Sequence, residues 1–331
     1  MKINIINKNN NSINNNKKKI KKKFLFIYKL IFIFVVINII FYKRINLILK
    51  NPNDLKVCLC TLGKKENRYA REFVEHYKKY DIDKIIIYDN NEIAGETFDL
   101  VLSDYIKNKY VEIINYRGKE KIQIPILNDC YKKKHKEYDW FLFYDMDEFI
   151  FLKNYTSIKY FLNEKKFQKC NIIFLNWVNH LDNNKIYYSN ESLFKRFPKY
   201  KYNKTYAFVK SMIRGHLSKI DINNNHIINS NYLNCDEFGF KKKFINIIHT
   251  EKPDYKYYYI DHFYFKSTEE FANKINRGDC FYGNKISLNL YWIKRYFEAN
   301  EVTLNKIKYF ESKINSSLNF FRGLLNIRKN N

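Results

Sequence analysis

The chain has 331 residues, of which 46% are hydrophobic and 18% aromatic, and its formal net charge is +26. This length and apolar content are enough for one large globular domain and exclude a wholly disordered chain. The basic excess is of a size found in nucleic-acid-binding proteins, but twelve of the lysines and arginines lie in the first 50 residues, which contain no acid. Because no recognisable nucleic-acid module accompanies the charge, we expect no nucleic-acid partner.

The N-terminal segment has the pattern of a membrane anchor. Residues 1–23 form a basic, Asn-rich and Lys-rich stretch that we predict to be a disordered cytoplasmic tail. Residues 24–42 are almost wholly apolar and long enough to cross a bilayer, and no small-residue cleavage site follows them. The positive-inside rule then predicts a single-pass type II signal anchor. Residues 43–55 would be a stem.

The next hundred residues alternate between strand and helix patterns. Apolar runs at 56–62, 84–88 and 111–116 predict three strands, each followed by polar residues. Between the first two, Asn67–Tyr80 predicts an amphipathic helix. Its apolar stripe comprises Tyr69, Ala70, Phe73, Val74 and Tyr77. The order predicts an α/β, Rossmann-like fold whose mixed, mainly parallel sheet is flanked by helices and carries its ligand beyond the strand ends.

Tyr138–Phe151 is an aromatic, apolar run that contains Asp145 and Asp147. We predict a buried strand that ends at these acids, with both carboxylates on one side because side chains alternate along a strand. Such a pair suits Mg²⁺ or Mn²⁺. A lone Asp-x-Asp also occurs in ordinary turns. A calcium loop is excluded by Ile150 at its glycine position, and an aspartate-nucleophile phosphatase is disfavoured by Phe149.

Six ordered segments resemble glycosyltransferases of the GT-A fold, specifically the family 92 and related family 2 group. They begin at Glu66, Gln123, Asp139, Asn176, Val209 and Ile260 and read ENRYAREFVEHYKKYDIDKIIIYDNNE, QIPILNDCY, DWFLFYDMDEF, NWVNHLDNN, VKSMIRG and IDHFYFKSTEEFANKINRG. Leu181 departs from the Gly that often follows the fourth segment's tryptophan. The resemblance implies a GT-A domain over 56–285, with C-terminal helices in 286–331 packed on it.

The implied activity is transfer of a hexose from a nucleoside-diphosphate donor such as a UDP-sugar to a glycan hydroxyl, with a divalent metal and inversion. The expected metal ligands are Asp145, Asp147 and His262, with Mn²⁺ or Mg²⁺ as cofactor. The residues expected to bind the nucleotide sugar are Thr61, Glu66, Asp89, Asn90, Arg117 and Asp145. Lys210, Lys266 and Arg277 are candidates for phosphate contacts.

Inverting transfer also requires a general base and an acceptor platform. The candidates for the base are Asp182, Glu237 and Asp279, with Asp182 slightly favoured. Trp177 and Asn183 are the candidates for acceptor binding, since an aromatic face packs against the apolar face of a sugar. Each of these residues has an ordinary structural alternative as a core, turn or solvent-facing side chain. Two other functions stay open: a non-catalytic carbohydrate-binding relative and, more remotely, a metal-dependent phosphatase.

The anchor and the resemblance together predict a Golgi glycoprotein whose catalytic domain is lumenal. Sequons at Asn154, Asn190, Asn203 and Asn315 lie on the proposed lumenal side. Six cysteines fit a lumenal domain with some disulfides, although the sequence does not determine their pairing. In a single strand at 56–62, Cys58 and Cys60 would face the same side.

Overall fold

The structure, a computed structural model, describes residues 25–38, 51–202, 206–218, 220–224, 226, 231–242, 249–278 and 286–314. The chain divides into two units, Met1–Asn51 and Pro52–Asn331. In the first unit, residues 25–38 form a helix with exposed side chains. Within the described ranges, no helix combines the length and apolarity needed for a membrane span. The rest of the predicted anchor, and all of the tail, lie outside those ranges.

The second unit is built on a mixed sheet whose first half is parallel. The strand β1 (Val57–Gly63) pairs with β2 (Lys84–Asp89) on one side and with β4 (Trp140–Phe143) on the other. The outermost strand of this half is β3 (Val111–Asn115), which pairs with β2. The structure confirms the predicted strands β1, β2 and β3 and the predicted helix, α1 (Asn67–Lys79). The buried residues of α1 are the five of the predicted stripe.

The second half of the sheet mixes directions. The strand β8 (Tyr206–Arg214) runs antiparallel between β4 and β6 (Ile172–His180). Next to β6 lies the parallel strand β11 (Tyr258–His262), and β5 (Glu148–Leu152) pairs antiparallel with β11. The order is therefore β3-β2-β1-β4-β8-β6-β11-β5. Three shorter strands pair with these. The strands β7 (Tyr200–Lys201) and β9 (Asn234–Cys235) pair with β6, and β10 (His249–Glu251) pairs with β8.

Two apolar cores lie on the two faces of this sheet, because alternate residues of each strand point to opposite sides. One core packs the α1 stripe against residues such as Leu59 and Ile87. The other packs α4 (Gln123–Lys134) against residues such as Cys60 and Phe141. The remaining helices before β8 are short: α2 (Phe98–Val101), α3 (Ser103–Lys107), α5 (Ile158–Leu162) and α6 (Leu193–Arg196).

A third core joins the C-terminal helices to α7 (Thr268–Asn276). The described part of the predicted C-terminal helical region forms two helices, α8 (Ile286–Ala299) and α9 (Leu304–Lys313). Phe271 of α7 stacks on Tyr296 with ring centroids 4.8 Å apart. The N-terminus of α7 carries a capping box, the Ser-x-x-Glu spacing that the sequence displays, since Ser267 and Glu270 bond each other reciprocally.

The predicted buried strand is confirmed as β4, which ends just before the acids, but the expectation that strand alternation places both carboxylates is wrong. The chain forms β4, turns through residues 144–147 and leaves as β5, which pairs with β11 rather than with β4. The turn is closed by a backbone bond from Glu148 N to Asp145 O and by a bond from Asp145 N to the Glu148 carboxylate. Asp145 and Asp147 therefore lie between two strands, and strand alternation does not place their carboxylates.

The cysteines form two disulfides among the described residues. Cys60–Cys130 ties β1 to α4, and Cys170–Cys235 ties β9 to the start of β6. Cys58 is a free, buried thiol beside the first disulfide, on the same side of β1 as predicted. Burial raises the pKa of the Cys58 thiol well above its ordinary value, so this group stays protonated at neutral pH.

Candidate active site

The polar residues of the second unit gather at one edge of the sheet. Since β4 and β6 are both antiparallel to β8, the strands β1, β2, β3, β4, β6 and β11 all run in the same direction. Their carboxyl ends therefore share one edge, which is where ligands of open α/β sheets bind. The residues at or just beyond these ends include Asp89, Asp145, Asp147 and His262.

Asp147 and His262 face each other at this edge of the sheet. Asp147 Oδ1 lies 3.6 Å from His262 Nε2, and both side chains are buried. His262 Nδ1 lies 3.1 Å from Asn179 Oδ1, so this nitrogen donates and Nε2 is left with its lone pair facing the carboxylate. A cation between the carboxylate oxygen and this nitrogen would satisfy both acceptors.

The protonation states agree with that arrangement. Burial lowers the pKa of His262 although Asp147 opposes the shift, so the ring is neutral at pH 7. Burial alone would raise the pKa of Asp147, but the Lys274 ammonium holds it well below its ordinary value. Lys274 Nζ lies 2.7 Å from Asp147 Oδ2, on the side away from His262. A charged carboxylate and a neutral imidazole are ligands that suit Mn²⁺ or Mg²⁺.

Asp145 has a different partner. Its Oδ2 lies 2.6 Å from Lys210 Nζ, and Lys210 Nζ is also 3.3 Å from Glu148 Oε1. Burial lowers the pKa of Lys210, but the two carboxylates outweigh this effect and raise it, so the lysine is charged. Among the residues the structure covers, the predicted trio of Asp145, Asp147 and His262 does not bring its ligand atoms within 4.8 Å of one another.

Aromatic rings enclose this cluster on one side. The Trp177 ring lies 4.1 Å from that of His262 and 5.1 Å from those of Phe208 and His226, measured between centroids. Burial lowers the pKa of His226 to about 3, so this ring is neutral too. Trp177, the predicted acceptor platform, thus supports His262 directly.

The predicted nucleotide residues lie at the ends of β1 and β2. Asp89 accepts a hydrogen bond from Arg117 at 2.8 Å, and Arg117 also donates to carbonyls of residues 92, 93, 95 and 96. The side-chain amide of Asn90 donates to Lys119 O at 2.7 Å. These contacts fix the loop after β2 against the loop after β3. Thr61 is buried within β1.

Basic side chains from α7 and its flanks reach the loop after β1. Glu66 Oε1 lies 2.6 Å from Arg277, and Glu66 Oε2 lies 3.6 Å from Lys266. Arg277 also donates to the carbonyl of Lys64. The structure therefore brings the predicted phosphate contacts Lys266 and Arg277 together at Glu66, and it places Lys210 at Asp145.

The predicted base candidates lie in other surroundings. Asp182 Oδ2 lies 2.6 Å from Lys306 and accepts a hydrogen bond from Tyr296, which ties the loop after β6 to the C-terminal helices. Glu237 accepts a hydrogen bond from Asn176 at 3.1 Å, and burial raises the pKa of Glu237 to about 7. Asn183 has a positive φ of 50° in the turn after Asp182. Asp279 lies outside the described residues.

Sequence reasoning missed four residues of the cluster: Asn179, Glu148, His226 and Lys274. Asn179 lies in the quoted segment NWVNHLDNN, and Glu148 directly follows Asp147, so both had a positional signal. Lys274 is one of 60 lysines and arginines, and His226 belongs to none of the six quoted segments. Only the packing of α7 and of the segment after β8 reveals these two.

The sheet and its edge define an α/β protein with a buried acid–imidazole site at the carboxyl ends of mainly parallel strands. A model of glycosyltransferase family 92 matches residues 53–315, which is most of the chain. The chain belongs to this family and is a glycosyltransferase, which confirms the family prediction. No curated protein matches the chain significantly in sequence.

Several solved structures are similar to the chain in fold but share little of its sequence. A Staphylococcus aureus TarS 1–349 structure in complex with UDP-GlcNAc is 12% identical over 78% of this chain and 80% of that one, with a TM-score of 0.36. A mannosyltransferase PcManGT from Pyrobaculum calidifontis, in complex with GDP-Man and Mn²⁺, is 8% identical over 41% of each chain, with a TM-score of 0.28. A further TarS structure is covered over 47% of its length.

Proposed function

We propose that this enzyme transfers a sugar from a nucleoside-diphosphate donor, a UDP-sugar, to a glycan hydroxyl, with inversion and with a divalent cation. The observation that carries the proposal is the Asp147–His262 pair. An ionised carboxylate and a neutral imidazole face each other at 3.6 Å, at the carboxyl edge of the sheet, in a family 92 chain. A cation bound there would neutralise charge on a departing nucleoside diphosphate.

The chain's own residues have three tasks in this proposal. Asp147 and His262 would hold the cation, and Asn179 would keep the ring of His262 oriented by accepting a hydrogen bond from Nδ1. Lys274 is adjacent to the same carboxylate, where its charge can meet donor phosphate. The loops held by Asp89 and Arg117 form the nucleotide side of the edge.

Type II anchorage in the Golgi, with the catalytic domain in the lumen, is also part of the proposal. Two observations support a lumenal domain. The described sequons at Asn154 and Asn190 are exposed, as a glycan would require. Two disulfides fit an oxidising compartment. Sensitivity of the expressed chain to an N-glycosidase, together with protection from protease in sealed vesicles, tests this arrangement; a deglycosylated, protease-accessible chain would contradict it.

The activity is tested with the full-length chain. Nucleotide release is followed with each of a panel of nucleotide sugars, in Mn²⁺ or in EDTA, for the wild type and for Asp147→Asn. We expect release with one UDP-sugar, its loss in EDTA, and a decrease in kcat of at least about 100-fold in Asp147→Asn.

The matched control is Asp104→Asn, because Asp104 is an exposed acid paired with Arg71 on the surface. This variant should keep wild-type turnover. Release that continues in EDTA and in Asp147→Asn would exclude the cation-dependent mechanism. Folded protein that binds glycans but releases nucleotide from no donor would instead indicate a carbohydrate-binding relative.

A further inference from the structure

A pocket of about 350 Å³ lies beside the carboxyl end of β6. Its lining includes Val178, Tyr200, Tyr202, Asp254, Tyr255 and Tyr259. Because side chains alternate along β6, Val178 points to the face opposite to Trp177 and Asn179, which contact His262. The pocket and the proposed cation site therefore share a strand end but lie on its two faces.

The tyrosine rings leave much of their surface open to solvent. Tyr200 is 53% exposed and Tyr202 is 42% exposed. Tyr202 contacts Tyr255 with ring centroids 4.6 Å apart and Tyr200 with centroids 6.2 Å apart. Three tyrosines thus form one contiguous aromatic surface at the mouth of a concave site.

Buried polar contacts hold the walls of this pocket in place. Asn176 donates to the carbonyl of Asp254 at 3.3 Å and to the buried carboxyl of Glu237 at 3.1 Å. On the other wall, His180 bonds Asp261 at 2.7 Å and packs near Tyr200. The fixed walls indicate a preformed site, since little order would be lost when a ligand binds.

The lining has the chemistry of a site for a neutral sugar ring. Aromatic faces pack against the apolar C–H face of a pyranose, and phenol hydroxyls and a carboxylate hydrogen-bond its hydroxyls. The charges of Asp254 and Lys256 offset each other at the rim, so an anionic ligand gains no net attraction. The volume falls within the usual range of small-ligand pockets, about 300 to 1,000 Å³.

We propose that this pocket is a subsite for a neutral sugar of the acceptor glycan, remote from the hydroxyl that reacts. The proposal rests on the proposed transferase function. Its link to the cation site is short: Lys201, between Tyr200 and Tyr202, pairs with Asn179, and Asn179 bonds His262. An oligosaccharide can therefore place one unit among the tyrosines while another reaches around the end of β6.

The test compares acceptors of different length with the full-length enzyme and the donor that it uses. The probes are neutral oligosaccharides and monosaccharide glycosides of their terminal units. We expect the ratio of kcat/KM for an oligosaccharide to that for its monosaccharide to fall about tenfold in Tyr202→Ala/Tyr255→Ala, because a remote subsite stabilises only the longer acceptor. Tyr187→Ala is the control, since Tyr187 is 67% exposed and does not line the pocket. An unchanged ratio in the double variant would overturn the subsite.

A binding measurement separates this proposal from the transferase function. Saturation-transfer NMR with the same oligosaccharides should show binding to the wild type and its loss in Tyr202→Ala/Tyr255→Ala. Binding by an enzyme that turns over no donor would support the pocket and count against the transferase. Turnover of a donor by an enzyme in which the tyrosines contribute nothing to oligosaccharide binding would support the transferase and count against the pocket.

Discussion

At the scale of single residues, the orientation of His262 depends on one amide. Asn179 Oδ1 accepts a hydrogen bond from Nδ1 at 3.1 Å and so leaves Nε2 directed at Asp147. Outer partners of this kind typically change metal affinity by about 10- to 100-fold when they are removed. The side chain of Asn179 thus has a measurable role without touching the cation.

We predict that Asn179→Ala raises the dissociation constant for Mn²⁺ by about 10- to 100-fold, because the ring of His262 can then rotate or change tautomer. Titration of the free Mn²⁺ signal by electron paramagnetic resonance measures this constant without turnover. Asn276→Ala is the control, since the exposed amide of Asn276 donates to the carbonyl of Lys313 and bonds no residue of the proposed site. Equal Mn²⁺ affinity in Asn179→Ala and the wild type would show that this amide does not orient a ligand.

Glu237 predicts a pH dependence of stability. Burial raises its pKa from 4.5 to about 7, so between these values the folded state binds more protons than the unfolded state. The free energy of unfolding therefore falls as pH rises through this window. The shift corresponds to about 3 kcal/mol at most.

We predict that Glu237→Gln, which keeps an oxygen to accept from Asn176, removes this dependence and stabilises the protein at pH 8 but not at pH 4.5. Denaturant unfolding at the two pH values measures the difference. If the difference in unfolding free energy between the wild type and Glu237→Gln is the same at pH 4.5 and at pH 8, Glu237 titrates normally.

At the scale of elements, the first turn of α7 is held by a network as well as a cap. The Glu270 carboxylate accepts a hydrogen bond from the backbone N–H of Ser267, as the capping box requires, and also accepts two from Arg196 at 2.7 and 2.9 Å. Arg196 is 1% exposed. Since α7 carries Lys274 to Asp147, this network positions one side of the proposed site.

We predict unequal costs at the two ends of this cap. Ser267→Ala should lower the free energy of unfolding by about 1 kcal/mol, like the loss of any helix cap. Glu270→Ala should lower it by about 3 to 5 kcal/mol, because the charge of Arg196 is left buried without a partner. Thr303→Ala, which removes the simple cap of α9, is the control and should match Ser267→Ala. Similar losses for all three variants, measured by denaturant unfolding, would show that the ion pair adds nothing.

Local patterns predicted most elements because they act within one segment. The α1 stripe, the capping box of α7 and the first three strands depend on spacing that the sequence displays. The positions of the site's side chains depend instead on pairing between segments that are distant in the sequence. The run 138–151 predicted one strand that ends at the two acids, and only the partner of β5, over a hundred residues later, shows that the chain turns there and leaves as a second strand. Lys210 forms an ion pair with Asp145, and no rule of sequence spacing indicates this contact.

At the scale of the whole molecule, two disulfides close long loops in the second unit. Their sequence separations are 70 residues for Cys60–Cys130 and 65 residues for Cys170–Cys235. Cross-links over loops of this length restrict the unfolded chain, and each stabilises the folded state by about 4 kcal/mol in the chain-entropy account.

We predict that Cys170→Ala/Cys235→Ala lowers the free energy of unfolding by about 4 kcal/mol under oxidising conditions. Cys58→Ala is the control, since this buried thiol is free and its loss removes only a small packed volume, at about 1 kcal/mol. Denaturant unfolding compares them. If the double variant loses no more stability than Cys58→Ala, the second disulfide does not form or does not restrict the unfolded chain.

The pairing of β5 has a consequence for biosynthesis. Its described neighbour in the sheet is β11, and Asp147 meets Lys274 across 127 residues of sequence. At a translation rate of about 5 to 20 residues per second, the strand EFIFL and the acids before it leave the ribosome many seconds before their partners exist. A nascent chain therefore carries an unpaired apolar strand for that time, a condition that favours aggregation. The enzyme should need chaperone protection until synthesis has passed α7, and nonsense mutations upstream of β11 should yield insoluble fragments rather than partly active ones.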